Sequence, residues 1–110
     1  MQIINSTEGL SKKDIYAMTH GTGMKKMSDN EGAVIPVAKF VTYADVNKDG
    51  ELVEILSIMD DKGNVYATNS PTAMKEFEFI RTLMGDDPFA VVVVKGTSKN
   101  GRIYTTFAMA

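Results

Sequence analysis

Aromatic and cationic side chains recur along the segments of this chain that are predicted to form strands. The residues concerned are Lys39, Tyr43, Tyr66, Lys95, Lys99, Arg102 and Tyr104. Tyrosine rings stack on nucleobases with little sequence preference, and cations contact the phosphates between them. Residues of these types on neighbouring strands therefore predict a surface for single-stranded nucleic acid. The alternative interpretation is structural, because tyrosine suits a half-buried strand and lysine protects an exposed sheet edge.

No pattern in the chain predicts catalysis or metal binding. Asp45 and Asp49 match the first half of a calcium loop, but position twelve, which needs a bidentate glutamate, is Leu56. His20 is the only histidine, and its place near a predicted helix end is typical of a surface cation. The glycines and lysines of residues 21–26 lack the spacing of a phosphate loop. We therefore expect a binding protein that is not an enzyme and needs no cofactor or metal.

Charge is distributed unevenly along the chain. The formal net charge is −2, which by itself argues against a nucleic-acid partner. Residues 45–61 hold six carboxylates and one cation, Lys48. Residues 88–110 hold three cations and no acidic side chain. Because binding follows the local patch rather than the sum, the C-terminal segment remains a candidate for phosphate contacts. The acidic stretch supports a second hypothesis, a small module that binds or inhibits a basic host protein.

Length and composition indicate one globular unit. The chain has 110 residues, the usual size of a single domain, and 44% of them are hydrophobic. It has no cysteine, which excludes disulfides and fits a reducing compartment. The N-terminus does not resemble a signal peptide, and the longest apolar run, residues 89–94, is far shorter than the ~20 residues that cross a bilayer. We therefore expect a cytoplasmic protein with no membrane partner.

Two helices and five strands are predicted from periodicity and turn residues. A helix over residues 11–20 is followed by a loop to residue 32. Alternating and β-branched residues predict strands over residues 33–46, 51–59, 65–69, 89–97 and 102–109. Before the fourth strand, Ser70-Pro71 begins a helix that Gly85 ends. The phenylalanines predicted to lie in the core are Phe40, Phe77, Phe79, Phe89 and Phe107.

This order of elements predicts a mainly β fold of the OB type. A three-strand meander, one helix and a closing hairpin are the elements of the OB-fold five-stranded barrel. We assign the barrel (β-β-β-α-β-β) to residues 33–110 and the N-terminal helix and loop to residues 1–32. The ligand groove of such a barrel lies on its second and third strands, together with the loops between strands one and two and between strands four and five. The rival architecture is an open sheet with one helix packed across a face.

Four segments resemble a group of small proteins from tailed phages of Gram-positive bacteria. The segments are residues 1–13 (MQIINSTEGLSKK), 54–58 (EILSI), 65–70 (VYATNS) and 94–104 (VKGTSKNGRIY). The group is taken to be phage single-stranded DNA-binding proteins. The resemblance implies a DNA replication accessory protein that coats and protects single-stranded DNA in the host cytoplasm, beside replication proteins. The chain ends in a strand-like segment rather than an acidic tail, so tail-mediated recruitment of partners is not expected. Exposed edge strands offer a route to a homo-oligomer.

Overall fold

Two open β-sheets form the body of the structure, a computed structural model that describes residues 1–110. The five-stranded sheet has the order β1 (Gln2–Ser6), β4 (Lys39–Val46), β5 (Leu52–Met59), β6 (Val65–Thr68), β2 (Lys25–Lys26). The three-stranded sheet has the order β3 (Val34–Pro36), β7 (Ala90–Thr97), β8 (Ile103–Met109). The helices are α1 (Lys12–Thr19) and α2 (Pro71–Met84), and a 3-10 turn covers Met27–Asp29.

The meander β4–β5–β6 is the centre of the larger sheet, and both of its pairings are antiparallel. Its first turn is closed by Gly50, whose φ of 80° is a conformation that glycine adopts without steric cost. Its second turn is held by Asp60, whose carboxylate accepts hydrogen bonds from the backbone N–H groups of Lys62 and Asn64 at 2.9 and 2.8 Å. Local turn chemistry therefore sets the strand register.

Residues 34–46 pass from one sheet to the other. The first part, β3, pairs with β7, and the second part, β4, pairs with β5. At the bend the Val37 N–H donates to the Phe89 carbonyl at 3.0 Å, and the Ala38 N–H donates to the Met59 carbonyl at 3.0 Å. Because the backbone stays hydrogen-bonded through the bend, the two sheets are held together by one continuous stretch of chain.

Both helices begin at a serine cap. The Ser11 side chain accepts a hydrogen bond from the Asp14 N–H at the start of α1, and Ser70 accepts from the Ala73 N–H at the start of α2. Each cap satisfies a backbone donor that the first turn of a helix leaves without a partner. Pro71 occupies the first turn of α2, and Gly85 ends the helix with a φ of 61°.

Two hydrophobic cores lie on opposite faces of the five-stranded sheet. The main core lies between this sheet, the three-stranded sheet and α2, and Phe77 is at its centre with Phe40 and Phe107. The second core lies beneath α1, where Met18 packs with Val41. The meander is therefore covered on both faces, which explains why β4 carries buried residues in succession rather than in strict alternation.

The mainly β class is confirmed, and the segments from β4 to β8 follow the predicted order of three strands, a helix and two strands. The five-stranded barrel itself is not closed. On one side β3, which continues into β4, pairs with β7, so closure fails only between β6 and β8, where β2 occupies the edge of β6. β1 pairs with β4 at one edge, and β2 pairs in parallel with β6 at the other. Residues 1–32, expected to form a helix and a loop, therefore also supply two strands of the larger sheet.

Candidate functional site

Two of the tyrosines predicted to stack on bases are buried. Tyr43 is only 2% exposed, because its ring faces α1 and packs in the second core. Burial raises the pKa of its hydroxyl, and the negative charge of Asp45 raises it further. Tyr66 is buried in the main core, with the Lys25 ammonium 5.3 Å from its ring centroid. Neither ring is open to a base, so Tyr43 and Tyr66 do not belong to the candidate site.

The predicted phosphate ligand Lys39 is committed to an ion pair. Its ammonium lies 2.6 Å from the Asp14 carboxylate, which joins β4 to the first turn of α1. The hydrogen bond from Lys39 is the main cause that holds the pKa of Asp14 below its ordinary value. A lysine paired in this way has its charge compensated, and Lys39 is therefore not a free phosphate contact.

Tyr104 is the predicted aromatic residue that the structure leaves accessible. It lies on β8 opposite Gly96 and is 37% exposed. A Cβ atom at position 96 would lie 2.5 Å from the tyrosine ring, so the ring rests against the backbone of a glycine that has no side chain to displace it. This cross-strand packing holds the ring in one place on the surface.

A groove separates the end of β6 from the start of β8, and we call it the β6–β8 groove. Its volume is about 590 Å³, and its lining residues are Lys26, Ser28, Ile55, Ala67, Thr68, Asn69, Ser70, Ile103, Tyr104 and Thr105. Ser70 connects its two sides, because its hydroxyl donates to the Thr105 carbonyl at 2.8 Å while it caps α2. The groove therefore lies at the place where the open sheets fail to close.

The lining of the β6–β8 groove contains no carboxylate, although the chain has 14 aspartate and glutamate residues. Each of the other three cavities has at least one: Glu54 and Glu78 in the second, Glu54 in the third, and Glu8, Asp86 and Asp87 in the fourth. The lining of the β6–β8 groove therefore does not repel a polyanion. This property distinguishes the β6–β8 groove from the other three cavities of the protein.

Three predicted cations lie on the hairpin β7–β8 that forms one wall of this groove. Lys95 is opposite Thr105 in the strand register, and Thr105 lines the groove. Lys99 and Arg102 lie in the connecting turn. All three side chains are exposed, and none takes part in the three ion pairs of the structure. Their charges are therefore free to meet an anion.

Several groove residues were missed in the sequence analysis, above all Lys26 and Ser28. They reach the groove because β2 pairs in parallel with β6, which places Lys26 beside Ala67. A two-residue strand carries no periodicity, so this pairing has no local signal. Asn69 was predicted as the end of the third strand and Ser70 as the start of a helix, but neither prediction indicated that these residues face β8.

The acidic residues and the single histidine do not form a metal-ligand cluster. No group of three or more histidine, aspartate or glutamate residues is placed to hold a metal ion. Burial opposes ionisation of Asp60, but hydrogen bonds from Asn64 and from the backbone of Lys62 outweigh it and lower the pKa of this carboxyl. Asp60 is thus committed to a turn. No helix has the length and apolar character needed to cross a membrane.

Comparison of the chain with protein-family models, with curated proteins and with solved structures finds no match. The function proposed below is therefore based on the geometry of the β6–β8 groove and on the residues around it.

Proposed function

We propose that the protein binds single-stranded DNA in the β6–β8 groove, without strong sequence preference. The observation that carries this proposal is a carboxylate-free groove, in a protein of net charge −2, that combines the accessible ring of Tyr104 with the unpaired cations of the adjoining hairpin. Stacking on the ring and phosphate contacts from the cations are the two interactions that a single strand needs.

The polar lining of the groove suits a ligand of this kind. Ser28, Asn69 and Lys26 supply hydroxyl, amide and ammonium groups that can contact phosphate or sugar oxygens. Ile55 and Ile103 supply apolar surface beside the tyrosine ring, against which a base can lie. None of these contacts reads a base edge in a fixed pattern, which is why we propose binding with little sequence preference.

The fold supports the proposal through its likeness to the OB arrangement. We infer that the unit from β3 to β8 is an opened OB-like barrel, because its chain order is that of the OB fold and its first strand is shared by two sheets. The N-terminal strands β1 and β2 would then be additions at the two edges of the meander. The ligand surface of the OB fold lies on its second and third strands, and Ile55 of β5 and Ala67 and Thr68 of β6 bring these two strands into the groove lining.

The resemblance to phage single-stranded DNA-binding proteins supplies the biological setting of the proposal. In that setting the protein coats displaced single strands during phage DNA replication in the host cytoplasm, where replication proteins are its neighbours. Because the protein has a net negative charge, one copy should bind a site on the DNA with modest affinity. Coating of a whole single strand therefore requires cooperative binding of adjacent copies. The free edge of β8 is a surface through which adjacent copies could pair.

The test is fluorescence anisotropy with labelled oligo-dT, titrated at low and at physiological salt, with duplex DNA of matched length as the control. We expect saturable binding of the single strand, much weaker binding of the duplex, and a log–log salt slope of about −2 if three cations contact phosphates. Absence of binding to oligo-dT at low salt, where phosphate contacts are strongest, would refute the proposal.

A second candidate function is supported by the tip of the hairpin β4–β5. Leu52 is 75% exposed there, next to exposed Val46 and among Asp45, Asp49 and Glu51. An apolar pair ringed by carboxylates is suited to docking on a basic protein surface. Retention of a host protein on the immobilised wild-type chain, and its loss with Leu52→Ser, would favour this function over DNA binding.

A further inference from the structure

The outward face of α1 carries an aromatic residue that packing does not explain. Tyr16 is 65% exposed, whereas Met18 and Thr19 of the same helix are buried against the sheet. Lys12 and His20 lie four residues before and after Tyr16, so the three side chains share one face of the helix. The rings of Tyr16 and His20 have centroids 6.3 Å apart and are inclined by 32°.

The segment that contains this face carries four lysines between the flanking carboxylates of Glu8 and Asp29. Residues 10–28 include the lysines Lys12, Lys13, Lys25 and Lys26 and a single carboxylate, that of Asp14. This carboxylate is bound by Lys39 at 2.6 Å, so its charge is already compensated from β4. None of the four lysines of the segment forms an ion pair. Lys25 faces the carboxylate of Asp60, whose pKa it helps to lower. Lys12, Lys13 and Lys26 therefore form a second place, apart from the β7–β8 hairpin, where a polyanion meets positive charge outside any ion pair.

The basic face of α1 and the β6–β8 groove lie on a continuous surface. α1 packs on β5 and β6, and the second core beneath it extends to Ile55, which also lines the groove. After α1, residues 20–24 lead directly into β2, where Lys26 is part of the groove lining. Lys26 pairs with Ala67, and Ala67 is the register partner of Ser57, whose hydroxyl donates to the Met18 carbonyl of α1 at 2.6 Å. A strand that leaves the groove past Lys26 therefore stays on the face of the sheet that α1 covers, whereas Lys25 lies over Tyr66 on the other face.

We propose that a bound DNA strand continues from the β6–β8 groove onto α1, where Tyr16 is a second stacking position and Lys12 and Lys13 contact phosphates. This inference rests on the proposed function, because it extends the path of the same ligand. The ring of Tyr16 supplies a base-stacking surface, and its i±4 neighbours Lys12 and His20 flank that surface with donors. The occupied length of DNA is then longer than the groove alone would cover.

The test compares oligonucleotides of two lengths, because only the longer one reaches both positions. Oligo-dT of about 4 and of about 16 nucleotides spans the range of site sizes known for a single OB-type domain. With Tyr16→Ala we expect affinity for the longer oligonucleotide to fall by at least about fivefold, while affinity for the shorter one is unchanged. Tyr16→Phe keeps the ring and should retain wild-type affinity for both.

The chain offers a matched control for this variant. Phe79 is an equally exposed aromatic residue, at 64%, but it lies on α2 beside Glu76 and away from the groove lining. Phe79→Ala should leave both affinities unchanged. Because Tyr16 and Phe79 are both exposed, neither truncation removes core packing, and thermal unfolding of both variants should match the wild type.

A second variant tests the phosphate contacts of the same path. Lys12→Ala with Lys13→Ala should make the salt slope for the longer oligonucleotide less steep by about 1.4, and leave the slope for the shorter one unchanged. If the wild type binds both lengths and Tyr16→Ala binds them equally well, the path over α1 is wrong and the proposed function stands. If the wild type binds neither length, both proposals are wrong.

Discussion

The hairpins β4–β5 and β7–β8 have the same turn and opposite charge. In the first turn the Asn47 N–H donates to the Glu51 carbonyl at 2.9 Å, and in the second the Ser98 N–H donates to the Arg102 carbonyl at 2.8 Å. The closing glycine has a φ of 80° at position 50 and 76° at position 101. Position by position, Lys48 corresponds to Lys99, Asp49 to Asn100, and Glu51 to Arg102.

Comparison of the two hairpins shows which residue types the turn requires and at which positions the residue can vary. A polar first residue and a final glycine are common to both turns, because they supply the hydrogen bonds and the positive φ. The charged side chains make no contact that the turn needs. The lysine is common to both turns, whereas Asp49 and Glu51 of the first correspond to Asn100 and Arg102 of the second, so the net charges are opposite. Both turns are also followed by an exposed apolar residue: Leu52 is 75% exposed and Ile103 is 72% exposed. Charge is therefore the feature on which our proposal that the β7–β8 hairpin contacts a polyanion depends.

The largest difference between the hairpins concerns their tyrosines. Tyr43→Ala on β4 should destabilise the protein by about 3–5 kcal/mol, because it removes a buried ring from the second core. Tyr104→Ala on β8 should cost at most about 1 kcal/mol, the worth of a cross-strand pair on an exposed face. Urea unfolding followed by circular dichroism measures both values. Equal costs at the two positions would contradict the burial that separates them.

Reversing the charge of the basic hairpin should abolish DNA binding. The triple change Lys95→Glu, Lys99→Glu, Arg102→Glu replaces attraction with repulsion at the groove wall, and affinity for oligo-dT should fall on the order of 100-fold or more at low salt. Anisotropy titration measures the loss. Asp49→Asn with Glu51→Gln on the acidic hairpin is the control, and it should alter affinity by less than about twofold. A loss no greater than that of the control would remove the β7–β8 hairpin from the site.

The ring of Tyr104 should account for the next largest part of the binding. Tyr104→Ala should weaken oligo-dT binding by about 1–3 kcal/mol, the usual worth of one stacked base, whereas Tyr104→Phe should keep most of the affinity. Gly96→Ala sharpens this test, because the added methyl group would displace the ring without removing it. Wild-type affinity in Tyr104→Ala would show that no base stacks at this position.

The smallest expected effect is an alkaline loss of stability that belongs to Tyr43. Its pKa is raised in the folded state by burial and by Asp45, so the unfolded chain releases this proton at lower pH. Folding stability from this group is therefore complete below the unfolded pKa of about 10 and declines as the pH rises above it. Tyr43→Phe should flatten the decline above about pH 10 when unfolding is followed in urea. A decline of unchanged slope would assign it to other groups.

The parts of the fold that local chemistry determines were predictable from the sequence. The helix starts at Ser11 and Ser70 and the helix end at Gly85 are set by residues adjacent in the chain, and all three were predicted at these positions. Four of the five phenylalanines assigned to the core lie in it or against it. Phe79 does not, because only Phe77 and Ile80 point to the core at that turn of α2.

The parts that depend on distant partners were not predictable. The apolar face of α1 had to be buried somewhere, but nothing in its sequence indicates that it covers β4 and β5 and thereby buries Tyr43. The pairing of Lys25–Lys26 with β6 joins residues about 40 positions apart through two residues with no β-forming pattern. This pairing keeps the barrel open and places Lys26 in the groove, so fold and site were missed for the same reason.

The most direct test of the account is the salt dependence of oligo-dT binding in two variants that are matched by turn position. Lys99→Ala with Arg102→Ala should make the log–log salt slope less steep by about 1.4 and weaken binding at low salt. Lys48→Ala, at the position of Lys99 in the acidic hairpin, should leave the slope at its wild-type value. Equal slopes in all three proteins would contradict the claim that the β7–β8 hairpin contacts the phosphates of a single strand.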